Sequence, residues 1–225
     1  HMDGMRFTTM DPLAEKYYNM SPYAYCGNNP VNAKDLRGDT ITHICENVVY
    51  TYQMNNGKYG FYDGKGNLYT GENSYMNNLS SALDIIREGE IGKALVDYLI
   101  DNGNVSITNG KAITWNDKLQ NGGYNLDGTT NRPAYIGLSH ELAHIADRIN
   151  ESADYGAWVP GNHDTGIVEI PKYDQFACFI ENLIRTEHGV PLRSHYSVTT
   201  SGKPFEPSRI VDENGHLYNF RPFSY

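Results

Sequence analysis

The sequence predicts an α+β domain built on a small mixed or antiparallel sheet, and three observations predict it. Apolar and polar residues alternate between Asp39 and Thr70, where Asn-Gly and Asp-Gly turn signals cut the run into strand-length pieces. Apolar residues then recur at three- and four-residue spacing in later stretches, as on amphipathic helices. Strands and helices come in blocks rather than strict alternation, which favours helices packed on one sheet.

Taken in order, Ile41, His43 and Cys45, then Val48, Tyr50 and Tyr52, mark strands separated by turns at Asn55-Asn56-Gly57 and Asp63-Gly64-Lys65-Gly66. The run 78–101 carries Leu79, Leu83 and Ile86, then Ile91, Leu95 and Leu99, with a break at Gly89 or Gly92, so two helices or one bent helix are expected. A hairpin is expected around Asn109-Gly110, followed by a glycine-rich loop from Asn121 to Arg132. Leu138, Leu142, Ile145 and Ile149 form the apolar stripe of a helix that stops near Asn150. Phe176, Phe179, Ile180, Leu183 and Ile184 cover one side of another helix, ended by Gly189. The tail from Ser197 to Tyr225 reads as a loop and a hairpin.

Composition narrows the function classes. A net charge of -9 argues against a nucleic-acid partner, which would need Lys and Arg clustered on one face. No apolar run is long enough to span a bilayer, and no signal-peptide pattern opens the chain. His1-Met2 reads as a cloning scar, which makes the chain a piece of a longer protein. Cys26, Cys45 and Cys178 are odd in number and far apart, so buried thiols are expected rather than a disulfide framework.

The chemistry concentrates in Ile136–Asn150, which contains His140-Glu141-Leu142-Ala143-His144. Residues four apart share one face of a helix, so both imidazoles can point at one ion. Glu141, about 100° further round, can reach a water in an open coordination position. Two histidines, a third protein ligand and a water make a catalytic zinc centre, with Glu141 as the general base. The metzincin continuation is excluded, because Asp147 and Asn150 stand where it needs Gly and His. Glu151, Asp154, His163, Asp164, Glu169, Asp174 and Glu181 all remain available as the third ligand. Glu181 also has a different reading, as the partner that orients a metal-bound imidazole or as the ion-pair partner of Arg185.

Two resemblances sharpen this. The first is carried by residues 6–38, where Asp11-Pro12, Tyr23-Ala24-Tyr25, Asn28-Asn29-Pro30-Val31-Asn32 and Asp35-Leu36-Arg37-Gly38 follow one another. That order resembles the end of the core of Rhs and YD-repeat proteins, although Leu13-Ala14 follows the first Asp-Pro and the last motif lacks its proline. The resemblance implies a boundary near residue 38, with residues 39–225 as a variable C-terminal domain, usually a toxin.

The second is carried by His140–His144, by Glu181-Asn182-Leu183-Ile184-Arg185, and by Gly189-Val190-Pro191-Leu192-Arg193 with Tyr196. These blocks resemble metallopeptidase toxins that share a minimal core with bacterial effector metallopeptidases and clostridial neurotoxin light chains. The resemblance implies a zincin-like fold, a zinc ion, and Arg193 with Tyr196 as stabilisers of the oxyanion. Laying Ile167–Pro171 over the family's ligand block puts Asp164 at the third-ligand position, with His163, Glu169 and Glu181 as alternatives.

The expectation is therefore a secreted or delivered zinc endopeptidase toxin that cuts a protein in a target cell. Its further partners would be an immunity protein and the Rhs shell upstream. The rival expectations are a metal-dependent hydrolase of a nonpeptide bond and a non-enzymatic domain with a remnant metal site.

Overall fold

A computed structural model describes residues 2–3, 6–7, 40–108, 113–161, 167–212 and 214–217. The Rhs-like segment therefore lies outside the described residues, apart from a two-rung antiparallel ladder between β1 (Met2–Asp3) and β2 (Arg6–Phe7). Cys26, His163 and Asp164 lie outside them too.

The alternating region folds as read up to Tyr62; the expected strand piece after the Asp63–Gly66 turn, Asn67–Gly71, forms only an isolated bridge from Leu68 to Tyr62. β3 (Thr40–Cys45), β4 (Val48–Asn55) and β5 (Lys58–Tyr62) form an antiparallel meander in which Tyr52 sits opposite both Ile41 and Phe61. All three side chains are buried, because period-two alternation puts paired positions on the same face. The helical run is two helices, α1 (Ser74–Ile86) and α2 (Glu90–Asn102), split at residues 87–89. Asn73 caps α1 by accepting from the Met76 N–H at 3.1 Å. Arg87, at the end of α1, pairs with Asp97 across the break, and Lys93 pairs with the same carboxylate within α2.

β6 (Asn104–Thr108) and β7 (Ile113–Thr114) complete a five-stranded sheet of order β5-β4-β3-β6-β7. The expected hairpin is not formed, because β7 runs parallel to β6, with Ile113 beside Ile107. A two-residue turn at Asn109-Gly110 would have put Ile113 opposite Ser106, on the face away from Ile107. The parallel register lets both isoleucines enter the core, and burial decides register. β6 also runs parallel to β3, with Val105 beside Ile41, so the sheet is mixed.

After β8 (Tyr124–Asn125) comes α3 (Ala134–Ile149), then β9 (Ala157–Val159) paired with β10 (Ile170–Pro171), α4 (Tyr173–Glu187), and β11 (Arg193–His195) paired with β8. α1 meets the sheet at β5 and α2 meets it at β3, while α3 packs on both helices and on α4. One core joins Leu79, Leu83, Leu95 and Leu99 to Leu138, Leu142, Phe176 and Ile180. The tail is a 3-10 turn at Glu206–Ser208 between short bridged turns. Cys45 and Cys178 are buried free thiols. Among the described residues, no helix is long and apolar enough to cross a membrane.

Candidate metal centre

His140, Glu141 and His144 lie in the middle of α3, with Leu138, Leu142 and Ala146 on the opposite side buried in the core. The core anchors the helix, and the His-Glu face is left beside a cavity of about 430 Å³ lined also by Asp174, Tyr173 and Tyr196. The third donor comes from α4. Its first turn presents Asp174, and the Asp174 Oδ1 lies 3.4 Å from His140 Nε2 and 3.3 Å from His144 Nε2. The two Nε2 atoms are 3.1 Å apart.

Three converging donors of this kind fit a tetrahedral zinc ion. Zinc bonds of about 2.0–2.2 Å at tetrahedral angles separate neighbouring ligand atoms by about 3.3–3.5 Å, close to the three separations found. A second grouping, His140 with Cys178 and Glu181, is also compact. Its carboxylate, however, already accepts from three donors, and all three of its residues are buried. The His140, His144 and Asp174 triangle borders the cavity and is the candidate metal site.

The sequence alignment pointed to Asp164 as the third ligand, but the described residues bring Asp174 to the histidines. Asp164 and its alternative His163 fall outside those residues. Glu169 is exposed just before β10, and Glu181 takes a different place. Asp174 and Glu181 are seven residues apart, two turns on the same side of α4, so the helix that carries one also aims the other at α3. That spacing was the signal available in the sequence.

Glu181 stands behind His140. Its Oε2 accepts from His140 Nδ1 at 3.0 Å and from Arg193 Nη1 at 2.8 Å, and its Oε1 accepts from Arg185 Nε at 2.9 Å. Keeping the proton on Nδ1 leaves Nε2 of the neutral ring free to ligate. Glu181 makes both of the contacts that the two sequence readings require, to a histidine ring of α3 and to Arg185.

Arg193 does not line the cavity. It is buried behind the histidines, where its Nη2 donates to the Tyr196 carbonyl at 2.6 Å. Asn182 fixes the Arg193 backbone, donating to its C=O at 2.9 Å and accepting from its N–H at 2.8 Å. Gly123 is required beside it: its φ is +68°, and a Cβ there would lie 2.2 Å from Arg193 Nε. The Glu-Asn-Leu-Ile-Arg and Pro-Leu-Arg blocks are thus one hydrogen-bonded network. Tyr196 is the member of the Arg193 and Tyr196 pair that reaches the cavity.

No family model, no curated protein and no solved structure matches this chain. The geometry of the site therefore carries the functional reading.

The protonation pattern follows from burial and neighbours. Burial alone would lower the His140 pKa, but hydrogen bonds to Asp174, Cys178 and Glu181 outweigh it and hold the ring well above its ordinary value. Burial and the charge on His140 push His144 down despite the Asp174 hydrogen bond. Burial would raise Asp174, but the two histidines hold it well below the usual carboxylate range. The Asp174 and Glu181 carboxylates on either side of the ring thus favour its protonated form. A metal ion held by His140 Nε2 would have to displace a proton from that ring. We expect zinc binding at neutral pH to release about one proton from His140, with affinity rising about tenfold per pH unit below the pKa of that ring. Calorimetry in buffers of different ionisation enthalpy measures this, and binding without proton release would refute it.

Proposed function

We propose that the chain is a zinc-dependent endopeptidase with a zincin-like active-site helix, serving as the C-terminal toxin domain of an Rhs-type protein. The observation that carries the reading is the triangle of His140 Nε2, His144 Nε2 and Asp174 Oδ1, with Glu141 next to it on the same cavity wall. A bound zinc ion would supply Lewis acidity to the scissile carbonyl and to the attacking water.

The residues of the chain do the rest. Glu141 accepts the proton of the water and later delivers it to the leaving amine. Burial, together with the Asp174 carboxylate and the Cys178 thiol, raises the Tyr196 pKa, so its phenol stays protonated at neutral pH. An O–H donor in that position can stabilise the carbonyl oxygen as it gains charge. Arg193 acts through others, holding Glu181 on His140 and the Tyr196 backbone in place. The Rhs-like order of motifs in residues 6–38 supports delivery from a larger secreted protein, with a target-cell protein as substrate and an immunity protein as partner.

The test follows the metal. Chelated protein should leave a target-cell proteome intact, and stoichiometric zinc should restore new cleavage sites. Asp174→Ala should bind zinc at least about 100-fold more weakly, more than loss of an outer-shell partner costs, while Glu169→Ala stays near the parent value. A purified protein that takes up no zinc when zinc is supplied would overturn the reading.

A further inference from the structure

A second cavity, of about 560 Å³, lies beside the first turn of α3 and is lined by Arg132 together with Gln120, Asn131 and Tyr135. The Arg132 guanidinium makes no hydrogen bond or ion pair among the described residues, and its Nε is buried without a partner. It lies over bare backbone, with its Cζ 2.8 Å from where a Cβ of Gly122 would stand and 3.4 Å from where one of Gly137 would stand. Asp117, the one carboxylate lining this cavity, is engaged by the Asn78 amide at 2.7 Å. A half-buried guanidinium with no acceptor is costly, and an acidic group would satisfy it.

The position of this cation relates it to the candidate metal site. Gly137 is one turn before Glu141 on the same side of α3, and Glu141 is among the carboxylates whose charge acts on Arg132. Arg185 and Arg193 also act on it, and Glu181, the carboxylate that acts on it most strongly, is already shared between those two guanidiniums. With Glu181 engaged by Arg185 and Arg193, a carboxylate brought by a ligand would give Arg132 the acceptor it lacks among the described residues. Pro133, which precedes α3, offers no side chain to cap the helix, so the positive end of the helix dipole faces the same region.

We propose that Arg132 forms a subsite for an acidic side chain of the peptide substrate, within about three residues of the cleaved bond. One helical turn, about 5.4 Å, separates Gly137 from Glu141, and an extended peptide covers that in about two residues. This inference rests on the peptidase reading for the identity of the ligand as substrate. The binding of a carboxylate at Arg132 does not depend on catalysis.

The test therefore uses metal-free wild-type protein and end-blocked hexapeptides of Ala and Gly that carry a single Glu, or a single Gln in the matched series. Calorimetry should show the Glu peptides binding about tenfold more tightly. The preference should vanish in Arg132→Gln with wild-type melting, and persist in part in Arg132→Lys. Equal binding of the two series to the wild-type protein overturns the proposal without needing any variant, and so does a preference that survives in folded Arg132→Gln. With the zinc-loaded protein, hydrolysis in the absence of this preference sinks the subsite alone. The preference without any hydrolysis sinks the peptidase reading and leaves the carboxylate site in place.

Discussion

If the chain is the zinc peptidase proposed above, Glu141→Gln is expected to bind zinc as tightly as the parent chain and to cleave protein roughly 10²–10⁴-fold more slowly, the usual contribution of a positioned general base. Glu141 borders the cavity next to His140 and His144 but is not one of the three converging donors. Glutamine keeps the length and shape of the side chain and removes its capacity to take a proton. The comparison is made in cells that express the parent domain or the variant, by counting new protein N-termini by mass spectrometry and measuring zinc in the purified variant. Loss of cleavage together with loss of zinc would show only that the site had collapsed. Loss of cleavage with zinc retained isolates the proton transfer. Unchanged cleavage or unchanged toxicity would remove Glu141 from the mechanism.

Local pattern explains what could be read before the structure. Residues 40–62 show their strands because alternation and turn chemistry act within a few residues, and α3 shows its stripe because Leu138, Leu142 and Ile145 recur with the helical period. The direction of β7 was not legible, since it depends on Ile107 and Ile113 sharing one core face in the folded sheet. The third donor was hidden differently. Asp174 looks like an ordinary first-turn carboxylate of α4, and only the packing of α4 on α3 gives it two imidazoles as neighbours. The resemblance put Arg193 beside the oxyanion, whereas its burial against Glu181 and the bare backbone of Gly123 is a tertiary fact that no local pattern shows. The same holds for Arg132, whose isolation from any acceptor cannot be seen in the glycine-rich loop that it ends.

Removing the charge of Glu181 tests how the site is held. Glu181→Gln is expected to cost about 3–5 kcal/mol of folding stability at neutral pH, because it leaves buried charges unpaired. The carboxylate has no exposed surface and is shared by Arg185, Arg193 and His140. Glutamine fills the same volume but brings no charge, and its amide group turns a donor toward other donors. Burial alone would raise the Glu181 pKa, yet the Arg193 guanidinium, with His140 and Arg185, outweighs it and holds the group well below its ordinary value. A depressed carboxyl stabilises the fold in full above its unfolded pKa, about 4.3, and loses that contribution as pH falls toward the folded value. Urea denaturation should therefore show the full gap between parent and variant at pH 7 and a smaller gap in acid. Zinc affinity should fall as well, by about 10–100-fold, because His140 loses its charged acceptor and must compete with Arg185 and Arg193 for the one remaining amide oxygen. A stability gap below about 1 kcal/mol at pH 7 would mean that Arg185 and Arg193 find other acceptors, and the network would then not be what holds His140 in place.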